Sequence, residues 1–196
     1  MTDKDRSNLE NKDGMDGETC LRQAYDAIFH GDFESAAAWF DRAIGLEPDN
    51  ASYYYKASIT LARSGKTAAA ERYARKAAEL DPEDPVYAMN VDALEAKRLV
   101  SEARGLLELP VPEPDLAARL LREAESLDPL SAEAKLLLGM ANHMQGDLRS
   151  AIANLREALN LEPQHEEAGR LLREWRKERR RLVQSQLSSP KPYRKR

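Results

Sequence analysis

Four prolines recur along the chain at intervals that constrain its fold more than any other feature. Pro48 and Pro82 are 34 residues apart, Pro129 and Pro163 are again 34 residues apart, and 47 residues separate the two pairs. Each proline follows a leucine and an acidic residue, with an alanine five positions before it and another twelve before it. Three of the four also have a glycine seventeen positions earlier. Two helix-length stretches joined at a glycine and closed by a proline describe a helix–turn–helix repeat.

This pattern resembles the tetratricopeptide repeat family. The fourth unit carries the resemblance most fully, with Leu138-Gly139 in its first half and Ala151, Leu155 and Ala158 before Pro163. The resemblance implies an all-α fold, a right-handed superhelix (α-solenoid) of antiparallel helix pairs. We expect a flexible N-terminal arm at 1–16, repeats at 17–50, 51–84, 85–131 and 132–165, a capping helix at 166–187, and a basic disordered tail at 188–196.

The third repeat departs from the period because it is 13 residues longer than the others. Its first helix begins at Asp84-Pro85, a good start signal, and no helix breaker follows before Pro110. Apolar residues at spacings of three and four predict one continuous apolar stripe: Val86, Met89, Ala93, Ala96, Val100, Ala103 and Leu107. The extra length is either a tolerated insertion or an element that docks a partner.

A concave groove lined by the first helix of each repeat is the usual binding surface of the family. Carried over to this chain, the resemblance places these side chains in it: Leu21, Tyr25, Ile28, Phe29, Tyr55, Ile59, Arg63, Met89, Ala93, Lys97, Leu136, Met140, His143 and Met144. Most are apolar, which suits an apolar peptide or an amphipathic helix. The resemblance therefore implies a non-catalytic adaptor, scaffold or chaperone-like module that binds a protein partner. Alternatively, the protein's own segments fill this face.

A groove that recognises acidic terminal tails is not expected. In the family, such a carboxylate clamp needs lysine and asparagine at places that here hold Leu21, Tyr25 and Lys56.

The end of the chain is basic although the whole chain has a net charge of −4. Residues 166–196 carry +7 and residues 1–165 carry −11, and the basic patch comprises Arg176, Lys177, Arg179, Arg180 and Arg181. Such a patch could attract nucleic acid, an acidic protein, an anionic membrane surface or the acidic body of the same chain. A nucleic-acid-associated scaffold is thus the alternative function, and a merely solvated helix is the simplest explanation.

Catalytic and cofactor-dependent functions find little support in the sequence. Cys20 is the single cysteine, which excludes an intramolecular disulfide and a multi-cysteine zinc site. No glycine-rich phosphate loop occurs, and we expect no enzyme activity, metal or cofactor. No apolar run approaches the about 20 residues of a membrane span, and the start lacks a signal-peptide pattern, so we expect a soluble, cytoplasmic protein.

Overall fold

The structure is a computed structural model that describes residues 15–188. In that range the chain forms nine α-helices and no strand: α1 (Gly17–Phe29), α2 (Phe33–Leu46), α3 (Ala51–Arg63), α4 (Thr67–Leu80), α5 (Pro85–Leu107), α6 (Pro114–Leu127), α7 (Ala132–Met144), α8 (Leu148–Leu161) and α9 (Glu166–Ser188). The predicted all-α fold is confirmed. Of the predicted arm and tail, residues 1–14 and 189–196 lie outside the described residues. The rest forms two compact units that meet in sequence between Leu94 and Glu95.

Glycines make the tight turns between paired helices, as their spacing predicts. Gly31, Gly65 and Gly146 have φ angles of 76°, 79° and 81°, a left-handed conformation that glycine adopts without steric cost. Next to two of these turns, the side chains of Asp32 and Asp147 accept hydrogen bonds from backbone N–H groups and cap α2 and α8. Hydrogen bonds from Ser35 lower the pKa of Asp32. Turn and cap together fix where α2 and α8 begin.

Small residues bring the helices of the first unit close together. Cys20, Ala24 and Ala43 are fully buried around the ring of Phe40, which is itself fully buried. A neighbouring cluster joins α3, α4 and the start of α5 through Leu61, Ala70, Ala74 and Leu94. Helices of this length are marginal alone in water, so these contacts hold the unit together.

One tyrosine links the second helices of the first two pairs. The hydroxyl of Tyr73 on α4 donates a hydrogen bond to Asp41 on α2, with 2.6 Å between Oη and Oδ1. Burial and then this bond raise the pKa of Tyr73 to about 12. Between pH 10 and 12 the folded state therefore keeps a proton that the unfolded chain loses, so the free energy of unfolding falls as pH rises through this window.

We expect Tyr73→Phe to make that alkaline loss of stability shallower, because phenylalanine has no proton to retain. Urea unfolding of both proteins at stepped pH values up to about 12 measures the slopes. Burial also raises the pKa of Tyr53 and Tyr87, so part of the decline should persist in the variant. Equal slopes for the two proteins would show that Tyr73 is not the group concerned.

The single apolar stripe predicted for α5 is wrong in its first half. The helix runs unbroken for 23 residues, but Val86 and Met89 are 44% and 67% exposed. Tyr87 and Leu94 are buried instead. From Ala96 onward the predicted residues are buried as expected. The spacing shifts because the helix contributes to the core of the first unit as far as Leu94, and to that of the second unit from Ala96.

The second unit is built on two overlapping clusters. One joins the end of α5 to α6 and α7 around Leu121 and Leu137, and the other joins α7, α8 and α9 around Leu155 and Trp175. Lys135 on α7 adds ion pairs to Glu125 on α6 and to Glu157 on α8. The hydrogen bonds that Lys135 donates to these carboxylates, first that to Glu157, raise the pKa of Lys135. Apolar contacts and this charge cluster together bind α6, α7 and α8 to one another.

Candidate functional site

The first helices of the repeats lie side by side in the first unit. Tyr53 of α3 packs into the cluster around Phe40 that α1 and α2 build. On the other flank of α3, the side-chain amide of Asn90 on α5 donates to Ser58 Oγ at 2.8 Å. The rings of Tyr55 and Tyr87 are 5.4 Å apart there. Side chains on the free sides of α1, α3 and the start of α5 are therefore neighbours.

The predicted groove residues of this unit repeat at 34-residue intervals in these three helices. Leu21, Tyr55 and Met89 form one such series, and Tyr25, Ile59 and Ala93 form the next. Each series places one residue at the same point of successive repeats. Leu21 is the member that the structure buries, at 7% exposure, because it belongs to the core around Phe40.

Several large apolar side chains of this set are open to solvent. Phe29 is 86% exposed, Met89 67% and Tyr25 48%. Ile28, Tyr55 and Ile59 are half-buried, and Ala93 and Arg63 are exposed. We call the apolar members that remain accessible the apolar face: Tyr25, Ile28, Phe29, Tyr55, Ile59, Met89 and Ala93. Exposed apolar residues clustered on neighbouring helices are typical of a surface that binds a partner.

One residue of the apolar face, Tyr25, rests directly on the core. The ring of Tyr25 stands edge-on to Phe40 at a centroid distance of 6.4 Å and an angle of 87°. This is a favourable aromatic geometry, and Phe40 cannot move without disturbing its neighbours. Because its ring is already held in place, Tyr25 loses less conformational freedom when a partner binds.

The corresponding residues of the second unit are less accessible. Leu136 is 1% exposed, and Met140 is half-buried among core residues. The ring of His143 stacks on Trp175 of α9 at 4.4 Å, and its Nε2 atom is 2.9 Å from Glu178 Oε2. Met144 is 45% exposed, and Lys97 is also exposed. Thus α9 already occupies much of this side of α7.

The predicted basic patch is exposed on α9, and four of its five residues line a cleft between α8 and α9. Arg176, Lys177, Arg179 and Arg180 line this cleft together with two residues outside the predicted patch, Arg156 of α8 and Arg173 of α9. Arg181 is exposed but does not line it. The sequence did not predict that Arg156 belongs to this site, because Arg156 lies beside the patch only where α8 packs against α9.

The structure also bears on three other features considered in the sequence: a reactive thiol at Cys20, a metal site and a membrane span. Cys20 is fully buried, and burial raises the pKa of its thiol, which disfavours the reactive thiolate. Residues 15–188 contain no group of three or more histidine, cysteine, aspartate or glutamate side chains placed to hold a metal ion. None of the helices described is both long enough and apolar enough to cross a membrane.

Comparison with known families settles the class of protein. A family model described as the tetratricopeptide repeat matches residues 21–85 and 112–174, so the chain belongs to the tetratricopeptide repeat family. The two matched segments lie on either side of most of α5, the helix that contributes to both cores. Members of this family are typically non-catalytic modules for protein interaction.

Solved structures show the same α-solenoid fold. A structure of MamA, from residue 41 to its end, from Desulfovibrio magneticus RS-1 is 19% identical, covers 83% of this chain and 85% of its own, and has a TM-score of 0.52. Yeast Tom70 is 21% identical with a TM-score of 0.53, and the match spans 96% of this chain but 47% of Tom70. The chain matches no curated protein. At these identities the likeness establishes the fold alone.

Proposed function

We propose that the chain is a non-catalytic protein-interaction adaptor or scaffold whose first unit binds a partner on the apolar face. The observation that carries this proposal is the exposure of Tyr25 and Phe29 on α1 and of Met89 at the start of α5, together with the half-buried Tyr55 on α3. Fully burying one such side chain stabilises a complex by about 1.5–3 kcal/mol. These residues therefore supply enough apolar area to act as anchors, and family membership supports protein as the class of ligand.

An apolar peptide or the apolar side of an amphipathic helix fits this surface best. Tyrosine and phenylalanine give rigid contact area, while a methionine adapts to the shape of its partner. Arg63 is exposed one repeat after Phe29 and supplies a positive charge at the edge that could fix the register of the ligand. The same surface would serve a chaperone-like role if its ligand is an amphipathic segment that must be kept from aggregating.

The test uses peptides selected from a display library on the full chain, followed by affinity measurements with one tight binder. We expect selected sequences to share apolar residues at helical or alternating spacing. Tyr25→Glu combined with Phe29→Glu should weaken binding at least about tenfold, because both changes place charge where apolar contact is needed.

A matched control separates the apolar face from general surface hydrophobicity. Val111 and Leu130 are 80% and 75% exposed but lie outside the predicted groove, so Val111→Glu combined with Leu130→Glu makes the same chemical change elsewhere. Binding should survive in this control. Equal loss in both double variants, or no loss in Tyr25→Glu/Phe29→Glu, would refute the assignment of the apolar face.

A further inference from the structure

Within residues 15–188, the cleft between α8 and α9 is lined entirely by cations. Its lining residues, here called the cationic cleft, are Arg156, Arg173, Arg176, Lys177, Arg179 and Arg180. Arg173, Arg176, Lys177 and Arg180 follow one another at spacings of three, one and three, which puts them on one side of α9. From Arg173 to Arg180 this row extends about 10 Å along the helix, or two turns.

These cations are not neutralised within the part of the chain that the structure describes. The nearby carboxylates form ion pairs with other residues: Glu157 with Lys135, Glu174 with Arg170, and Glu178 with His143. None of the six cations forms an ion pair with a carboxylate in residues 15–188. Six like charges in one cleft repel one another, so binding an anionic ligand would reduce this electrostatic repulsion.

The 34-residue register of the repeats shows where a second helix would pack on α9. The helix α9 begins 34 residues after α7, so Arg173 stands where α7 has Gly139. A Cβ atom on Gly139 would lie 3.2 Å from the backbone oxygen of Ala151, which means that α8 packs directly on this side of α7. The same side of α9 has no helix packed on it within the described residues. The cationic cleft therefore occupies the position of the missing second helix of a pair.

We propose that the cationic cleft binds an acidic α-helix of a partner protein, which lies along α9 as α8 lies along α7. Aspartate or glutamate residues three or four apart on such a helix would face the row of arginines. Guanidinium groups bind carboxylates through two parallel hydrogen bonds, which gives orientation as well as attraction. Because long arginines replace the glycine, this helix stands farther from α9 than α8 stands from α7.

Two features favour an acidic helix over nucleic acid. Among residues 15–188, no aromatic side chain on which an exposed base could stack lines the cleft. In addition, residues 1–165 carry a net charge of −11, which repels a long polyanion that extends beyond the cleft. A helix of a few turns can end within it. This proposal is independent of the apolar face and concerns a different contact.

The test compares three labelled probes by fluorescence anisotropy on the full chain at an ionic strength of about 0.15 M. The first probe is a blocked alanine-based helical peptide with glutamates three and four residues apart. The second has the same charge but is interrupted by prolines, and the third is a short DNA duplex. We expect the helical peptide to bind at least about tenfold more tightly than either other probe, and Arg173→Glu/Arg176→Glu to weaken it at least about tenfold.

The control variant makes the same change of charge outside the cleft. Arg119 and Arg122 are exposed on α6, and Arg122 lies one 34-residue period before Arg156. Arg119→Glu/Arg122→Glu should retain binding, and thermal melting by circular dichroism should show that both variants fold. Equal binding of the two peptides, tighter binding of DNA, no binding of the helical peptide, or equal loss in both variants would overturn the proposal.

Discussion

Replacing Ala70 with arginine is expected to lower the free energy of unfolding of the first unit by more than about 4 kcal/mol. Ala70 is fully buried among Leu61, Ala74 and Leu94, where three helices meet. Arginine is too large for this contact, and its charge would lose water without gaining a partner. Since a whole domain is stable by only about 5–15 kcal/mol, the first unit should be largely unfolded or loosely packed.

A neighbouring alanine provides the control for this prediction. Ala68 is exposed on the same helix, so Ala68→Arg should change the free energy of unfolding by no more than about 0.5 kcal/mol. Urea unfolding followed by circular dichroism compares the two variants with the unchanged protein. If both variants unfold at the same urea concentration, the close packing of α4 on its neighbours is not what stabilises the unit.

The second large effect is expected for Phe40→Ala, at about 3–5 kcal/mol. Phe40 is fully buried, and its removal would leave a cavity between α1, α2 and α3. The ring also supports Tyr25 from below, so the loss should reach the apolar face. Denaturant unfolding measures the loss of stability, and the near-ultraviolet circular dichroism of the aromatic residues reports the loosened packing.

The same substitution at Phe29 should have the opposite pattern of effects. Phe29 is 86% exposed, so Phe29→Ala should leave stability within about 0.5 kcal/mol of the original while weakening peptide binding. A large loss of stability from Phe29→Ala would mean that its ring serves the fold. A small loss from Phe40→Ala would contradict its role as the centre of the core.

The helix pairs were predictable because their signals are local. The positive φ at Gly31 and the capping bonds of Asp32 depend on residues close together in sequence. The buried alanines were also predictable, since a fixed period marks the points of close approach. For example, Ala36 and Ala70 are 34 residues apart and both fully buried.

Features that depend on distant packing could not be read from the sequence. In α5, the spacing of apolar residues predicted a stripe through Val86 and Met89, but the helix buries Tyr87 there instead, whose ring contacts Tyr55 of α3. The partner of His143 is Trp175, which is brought there by the docking of α9. Likewise, Arg156 lines the cationic cleft only because α8 packs beside α9.

Binding of the partner to the apolar face of α1, α3 and the start of α5 can be observed as an NMR footprint. Titration of the isotope-labelled full chain with a selected peptide should change the signals of Tyr25, Phe29, Tyr55 and Met89 together and saturate with one affinity. Leu130 serves as an exposed apolar reference and should not respond. Signal changes confined to α2, α4 or the second unit, with these four residues unaffected, would show that the partner binds elsewhere.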